Sequence, residues 1–182
     1  MTLKKWKVLA SKIVFENPWI RVRQDKVKLP DGTVRKDYFV RETKRVVYAF
    51  ALTEDNKVIL NNQYKHGVAD FLKEIPAGIV EDGERPEAAI KRELLEETGY
   101  APKRLKLLAQ FYGDPTGSNT RIWCYLATGC KKVAEQQTNP TEIIELEFVT
   151  IAKLKQYLKQ GKINSQGTLA AILHGLAAIG EL

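Results

Sequence analysis

Glu93, Glu96 and Glu97 stand together in GIVEDGERPEAAIKRELLEETGY, Gly78 to Tyr100. In an α-helix Glu93 and Glu97 are one turn apart with Glu96 beside them, so all three project from one side. Like charges at that spacing cost a few tenths of a kcal/mol, roughly, while Ala89, Ile90 and Leu94 must pack on the neighbouring face. A solvated acidic face with Arg92 paired to Glu96 is the plain explanation of such a cluster. Near a glycine-bearing loop the same group fits a second use. Hard divalent cations such as Mg²⁺ prefer carboxylate oxygens, keep several waters and complete their shell with substrate phosphates.

A helix must position these groups, and its limits are written in the chain. Asp82-Gly83 turns the backbone, Pro86 suits a first helical turn, and Gly99 is placed to end the helix. Before it, VVYAFALT and KVILNNQY are rich in β-branched and aromatic residues and are joined by EDN as a hairpin; IPAGIV adds a short extended segment. After it, LKLLAQFYG and TRIWCYLATG read as strands flanking DPTGSN, and EIIELEFVT as another. Ile151, Leu154, Tyr157 and Leu158 recur at helical spacing, and TLAAILHGLAAI reads as a last helix. From Ile13 to Thr43 the pattern is strand, turn and strand, punctuated by NPW and LPDG. The expected fold is α/β with a mixed sheet. Residues 1–44 form a small N-terminal antiparallel β unit, and 45–182 the main domain.

Composition bounds the function classes. The chain has 182 residues, 44% of them hydrophobic, enough for one sizeable core with an appendage. Twenty-nine Lys and Arg against twenty-two Asp and Glu give +7, which favours anionic partners such as nucleotides or else is a basic soluble surface. The basic residues between Arg21 and Arg45 alternate with apolar ones as in a half-exposed strand, so nucleic acid is not an expected partner. Lysines interrupt MTLKKWKVLASKIVF before a signal-like core forms, and no run of about 18 apolar residues occurs. No membrane is expected, and the chain reads as cytoplasmic. Cys124 and Cys130 read as reduced structural thiols. His66 and His174 are too few for a histidine metal site or a Ser/His/Asp triad.

Gly78, Glu84, Arg92-Glu93-Leu94, Glu96-Glu97 and Gly99-Tyr100 resemble the Nudix box at every defining position. The resemblance implies an α/β/α sandwich carrying a loop-helix-loop, and Mg²⁺- or Mn²⁺-dependent hydrolysis of a nucleoside diphosphate linked to another moiety. It further implies metal ligation by Glu93 and Glu97, with Glu96 as a further ligand or supporting group. Arg92 would orient a glutamate, and the carbonyl of Ala77 would supply another oxygen. Glu84 has a role that is more often structural.

EIPAGIVEDGE with QYK, and Pro115 in GDPTGSN, are similar to the ADP-ribose pyrophosphatase branch, as is LKQGKINSQGTLAAI near the C-terminus. That similarity implies a homodimer cleaving ADP-ribose or a related nucleoside diphosphate sugar, with dinucleoside polyphosphates or nucleoside triphosphates as the alternative and a non-catalytic sensor the weaker one. It matches Glu142 to a glutamate that activates water. Trp19 in NPWIRV matches an aromatic that sandwiches the base, with Tyr38 a second counterpart. Arg41, Lys65, Pro115 and Ser118 complete the implied substrate contacts. Lys65 stands where the branch has arginine, losing the bidentate fork for phosphate.

Overall fold

The computed structural model describes residues 2–137 and 141–182. They divide into two compact units, one running to Lys44 and including Tyr112–Thr120, the other made of Arg45–Phe111 and Arg121–Leu182.

The first unit is a three-stranded antiparallel sheet in the order β1 (Lys7–Glu16), β2 (Arg21–Lys28), β3 (Val34–Glu42). The strand pattern legible in the sequence begins at Ile13; the first strand starts six residues earlier, because Lys7–Ile13 pairs with Arg23–Lys28 despite its lysines. Bulges between Val8 and Ala10 and between Ile13 and Phe15 interrupt the alternation of β1. Every residue of β1 is exposed, including Val8, Ile13 and Phe15. Asp25 is buried and compensated by Ser11 Oγ at 2.6 Å and Arg23 Nε at 3.0 Å. Residues 112–120 join the unit through Arg41, whose N–H donates to Gly117 O at 2.8 Å.

The second unit is a mixed sheet between two helical layers. Its strands are β4 (Val46–Thr53), β5 (Val58–Lys65), β6 (Asp70–Glu74), β7 (Ala77–Ile79), β8 (Tyr100–Ala101), β9 (Arg104–Tyr112), β10 (Arg121–Lys132) and β11 (Ile144–Val149). The central order is β11-β5-β4-β10-β8, with β4 and β10 parallel; β6 pairs β5, β7 pairs β4 and β9 pairs β10. The period of two divides each central strand between two cores. Val47, Ala49, Ala51, Ile59, Tyr125 and Ala127 meet Ala89, Ile90 and Leu94 of α1 (Pro86–Thr98). Phe50, Leu52, Val58, Leu60 and Cys124 face α2 (Ile151–Lys159) and α3 (Gln166–Ala178). This is the expected α/β/α sandwich.

Strand β6 was not read from sequence, since DFLKE carries charges at both ends and shows no alternation. Glu142 and Ile143, read as the start of a strand, precede β11. Helix α1 starts at Pro86 and stops at Gly99 as expected. At φ 75° Gly99 is left-handed and its N–H caps Leu95 O at 2.8 Å. Both cysteines are buried free thiols, pushed up to about 12 by burial.

Candidate metal centre and active site

Helix α1 lies with Ala89, Ile90 and Leu94 in the core, which leaves Arg92, Glu93, Glu96 and Glu97 on its flank, all partly buried. The carboxyl of Glu97 is enclosed most. Its Oε2 accepts from Asn61 Nδ2 at 2.9 Å and from the Ala77 backbone N–H at 3.0 Å. Burial pushes this group up to about 8, against those two hydrogen bonds and the charge of Lys65. Glu93 is also raised, chiefly by burial, with Arg92 opposing and the charges of Glu96 and Glu142 reinforcing. A Cβ on Gly78 would sit 1.9 Å from Glu93 Cδ, so only glycine leaves room for that side chain.

Arg92 is the hub. Its Nε and Nη2 each reach Glu84 at 3.1 Å as a fork, Nη1 donates to Glu93 Oε1 at 2.8 Å and Glu96 Oε2 at 3.0 Å, and Nη2 donates to Ile79 O at 3.0 Å. The fork holds Glu84 below the usual carboxylate range. Glu84 Oε2 also accepts from Glu81 N–H at 3.0 Å, so Glu84 fastens the loop to the helix. Among the described residues no three acidic, imidazole or thiol groups converge into a preformed metal cage; Arg92 takes up oxygens of Glu93 and Glu96. The donor set nevertheless fits a hard cation. Two carboxyls are driven towards neutrality by burial, the hydrogen bonds to Glu97 come from uncharged N–H groups, and Asn61 Oδ1 is buried with no hydrogen-bond partner among the described residues.

The other residues singled out from sequence are placed as follows. Glu142 is exposed ahead of β11, and its charge is felt at Glu93. Lys65 is engaged by Glu74 Oε2 at 3.0 Å. In the first unit, Tyr38 Oη donates to Thr116 O at 2.7 Å, Arg41 bridges to Ser118, and Ser118 is buried with its Oγ 2.6 Å from Thr120 Oγ1. Pro115 is exposed in the same loop. Trp19 is 93% exposed and is not part of a core among the described residues. Two residues were missed from sequence, Asn61 and Glu74. Asn61 carried a signal, a polar side chain on the same strand face as the core residue Ile59. A cavity of about 390 Å³ lies elsewhere, lined by Thr53, Asp55, Lys57, Tyr100, Lys132 and Phe148, and holds none of the α1 carboxylates.

Known proteins resemble the chain over most of its length. The NUDIX domain model matches residues 42–170, and the model described as nucleoside diphosphate sugar hydrolase N-terminal domain matches residues 6–40. The chain is 31% identical over 167 residues to a methanol dehydrogenase activator of Bacillus methanolicus, covering 91% of this chain and 90% of that one. It is 29% identical, with the same coverage, to an ADP-ribose pyrophosphatase of Bacillus subtilis. The crystal structure of an ADP compounds hydrolase shares the fold, with a TM-score of 0.87 over 100% of both chains at 20% identity. No helix among the described residues is long and apolar enough to cross a membrane. With its box residues gathered on and around α1 and the domain match spanning most of its length, the chain belongs to the Nudix family of hydrolases.

Proposed function

We propose that the protein hydrolyses the pyrophosphate bond of ADP-ribose or a related nucleoside diphosphate sugar, giving a nucleoside monophosphate and a sugar phosphate. It does so with Mg²⁺, for which Mn²⁺ can substitute. The observation that carries this reading is the grouping of Glu93, Glu96 and Glu97 on one flank of α1, with Arg92 reaching Glu93 and Glu96 and with Glu97 held against the Ala77 N–H and the Asn61 amide. Relatives named ADP-ribose pyrophosphatase, among them those of B. subtilis and Mycobacterium tuberculosis, and the N-terminal match direct it to this substrate class.

Bound divalent cations would neutralise the diphosphate and lower the pKa of the attacking water. Glu93, Glu97, Glu96 and the Ala77 carbonyl would hold them. Arg92 would keep Glu93 and Glu96 turned to one side while its fork secures Glu84 and the loop. Glu142 would take the proton from water, since its charge already reaches Glu93. Lys65 would offer a single charge to phosphate once released from Glu74. Tyr38, Arg41, Pro115 and Ser118 would serve the rest of the substrate.

The first unit supports a homodimer. A strand exposed along its whole length, with Val8, Ile13, Val14 and Phe15 outward and Trp19 bare beyond it, has apolar surface that a second copy would cover. Trp19 would then stack on the base. Light scattering gives the oligomeric state, and a monomer at assay concentration contradicts that part.

The substrate reading is tested by turnover with Mg²⁺ on ADP-ribose, ADP-glucose, GDP-mannose, diadenosine polyphosphates and nucleoside triphosphates. Preference for ADP-ribose or another nucleoside diphosphate sugar supports it, and preference for the last two classes overturns it. The similarity to the methanol dehydrogenase activator favours a second reading, in which the hydrolase acts alongside a dehydrogenase. Alcohol oxidation by methanol dehydrogenase, with and without the protein, distinguishes it.

A further inference from the structure

Asn61 is a costly choice where it stands. On β5 the side chains of Val58 and Leu60 enter one core and Ile59 the other, so Asn61 continues the apolar face that carries Ile59 towards α1. Asn61 is 3% exposed, and an aliphatic residue there would lose no solvation. Half of its amide is compensated by the 2.9 Å bond from Nδ2 to Glu97 Oε2. The other half is not, because Oδ1 is buried with no hydrogen-bond partner among the described residues. A buried acceptor left unpaired destabilises the fold, so the residue is better explained by what it does for its neighbour.

Its effect on Glu97 is specific. The Asn61 amide and the Ala77 N–H converge on the same oxygen, Oε2, from β5 and β7. Two donors from separate strands fix both the rotamer and the roll of the carboxylate plane and leave Oε1 for a cation. The reverse amide orientation would press its oxygen against Oε2, which already accepts from the Ala77 N–H, so the observed orientation is the one that pairs. A water held on a cation has its lone pair committed and can only donate. A neutral acceptor beside the carboxylate suits it, whereas an aspartate would add a further negative charge to Glu93, Glu96 and Glu97.

We propose that Asn61 is a positioning residue of the metal centre, its Nδ2 fixing Glu97 and its Oδ1 accepting a hydrogen bond from a water carried on the bound cation. This rests on the reading of α1 as a metal centre. Its partner is chemical and local, a hydrated divalent cation.

The test is Asn61→Leu, similar in volume and apolar. Mn²⁺ affinity, read without substrate from the electron paramagnetic resonance of free Mn²⁺, should weaken about 10- to 100-fold, as for loss of an outer partner of a metal ligand. The thermal midpoint in EDTA should stay the same or rise, and KM at saturating metal should hold while kcat falls. A lowered midpoint with unchanged Mn²⁺ affinity would mean a merely structural role and overturn the proposal. Should the variant not fold, the wild-type side-chain amide resonances of Asn61 decide. They should move with the midpoint of a Mg²⁺ titration, and if they stay still while the Glu97 backbone amide moves, the proposal is wrong. Wild-type protein that binds no Mn²⁺ removes the metal reading and this proposal with it, whereas wild-type binding equalled by Asn61→Leu removes this proposal alone.

Discussion

Gly78→Ala isolates the metal site from the fold. The added methyl would lie 1.9 Å from Glu93 Cδ, 2.2 Å from Oε1 and 2.4 Å from Cγ, so the carboxyl is about 1.5 Å short of ordinary contact. The backbone of Gly78 has little room to yield, because β7 pairs it with Val47, which is wholly buried in the core against α1. Glu93 is the end of a flexible side chain and must swing away, breaking its 2.8 Å contact with Arg92. A misplacement of roughly 1 Å costs about 10²-fold in rate, or about 2.7 kcal/mol. We therefore expect kcat/KM to fall at least about 10²-fold and Mn²⁺ affinity to fall with it. The thermal midpoint should move little, since the clash falls on one partly exposed side chain. Gly67→Ala is the control, as a Cβ there meets nothing within 4 Å. A folded Gly78→Ala variant with wild-type kcat/KM and Mn²⁺ affinity would refute the assignment of Glu93.

Glu97→Gln should abolish metal-dependent turnover and also change how metal-free stability depends on pH. With its folded-state carboxyl raised from 4.5 to about 8, Glu97 contributes stability that is fully present below the unfolded value and lost as pH rises through the folded one. The slope is at most ~1.4 kcal/mol per pH unit. Urea unfolding in EDTA across that window should show a shallower slope for Glu97→Gln, and an identical slope contradicts the burial of this charge. Glu142→Gln should lower kcat by roughly 10²–10⁴-fold with Mn²⁺ affinity nearly kept; single-turnover rates check this, and an unchanged rate assigns water activation elsewhere. Gly175→Ala would put a Cβ 2.2 Å from the Phe50 ring in the core facing α3. It should cost about 1–3 kcal/mol by thermal unfolding while leaving KM unchanged.

The helix that carries the chemistry was legible because its boundaries and its face are both local. Pro86 and Gly99 mark the ends, and Ala89, Ile90 and Leu94 mark the buried side. The two-core division was not legible, because VVYAFALT is apolar almost throughout, as a strand buried on both faces is, and carries no alternation of its own. What the sequence hid depends on distant pairing. Strand β6 is defined by its partner β5 and by the Lys65–Glu74 ion pair, not by a pattern of its own. The early start of β1 depends on β2, which supplies the backbone partners that outweigh its lysines. The five-fold engagement of Arg92 needs Ile79 and Glu84 brought back over the helix, whereas spacing alone pointed only to the neighbour at Glu96. Asn61 is hidden for the same reason, because its meaning lies in Glu97, which approaches it from α1.

The central claim is hydrolysis of a nucleoside diphosphate sugar on the α1 carboxylates, and phosphorus NMR of the wild-type protein with ADP-ribose and Mg²⁺ tests it most directly. The diphosphate resonances should disappear as two phosphomonoester signals grow, those of AMP and ribose 5-phosphate. The reaction should stop in EDTA and be absent in Glu97→Gln. An intact diphosphate after prolonged incubation with Mg²⁺ or Mn²⁺, or equal turnover by Glu97→Gln, would contradict it.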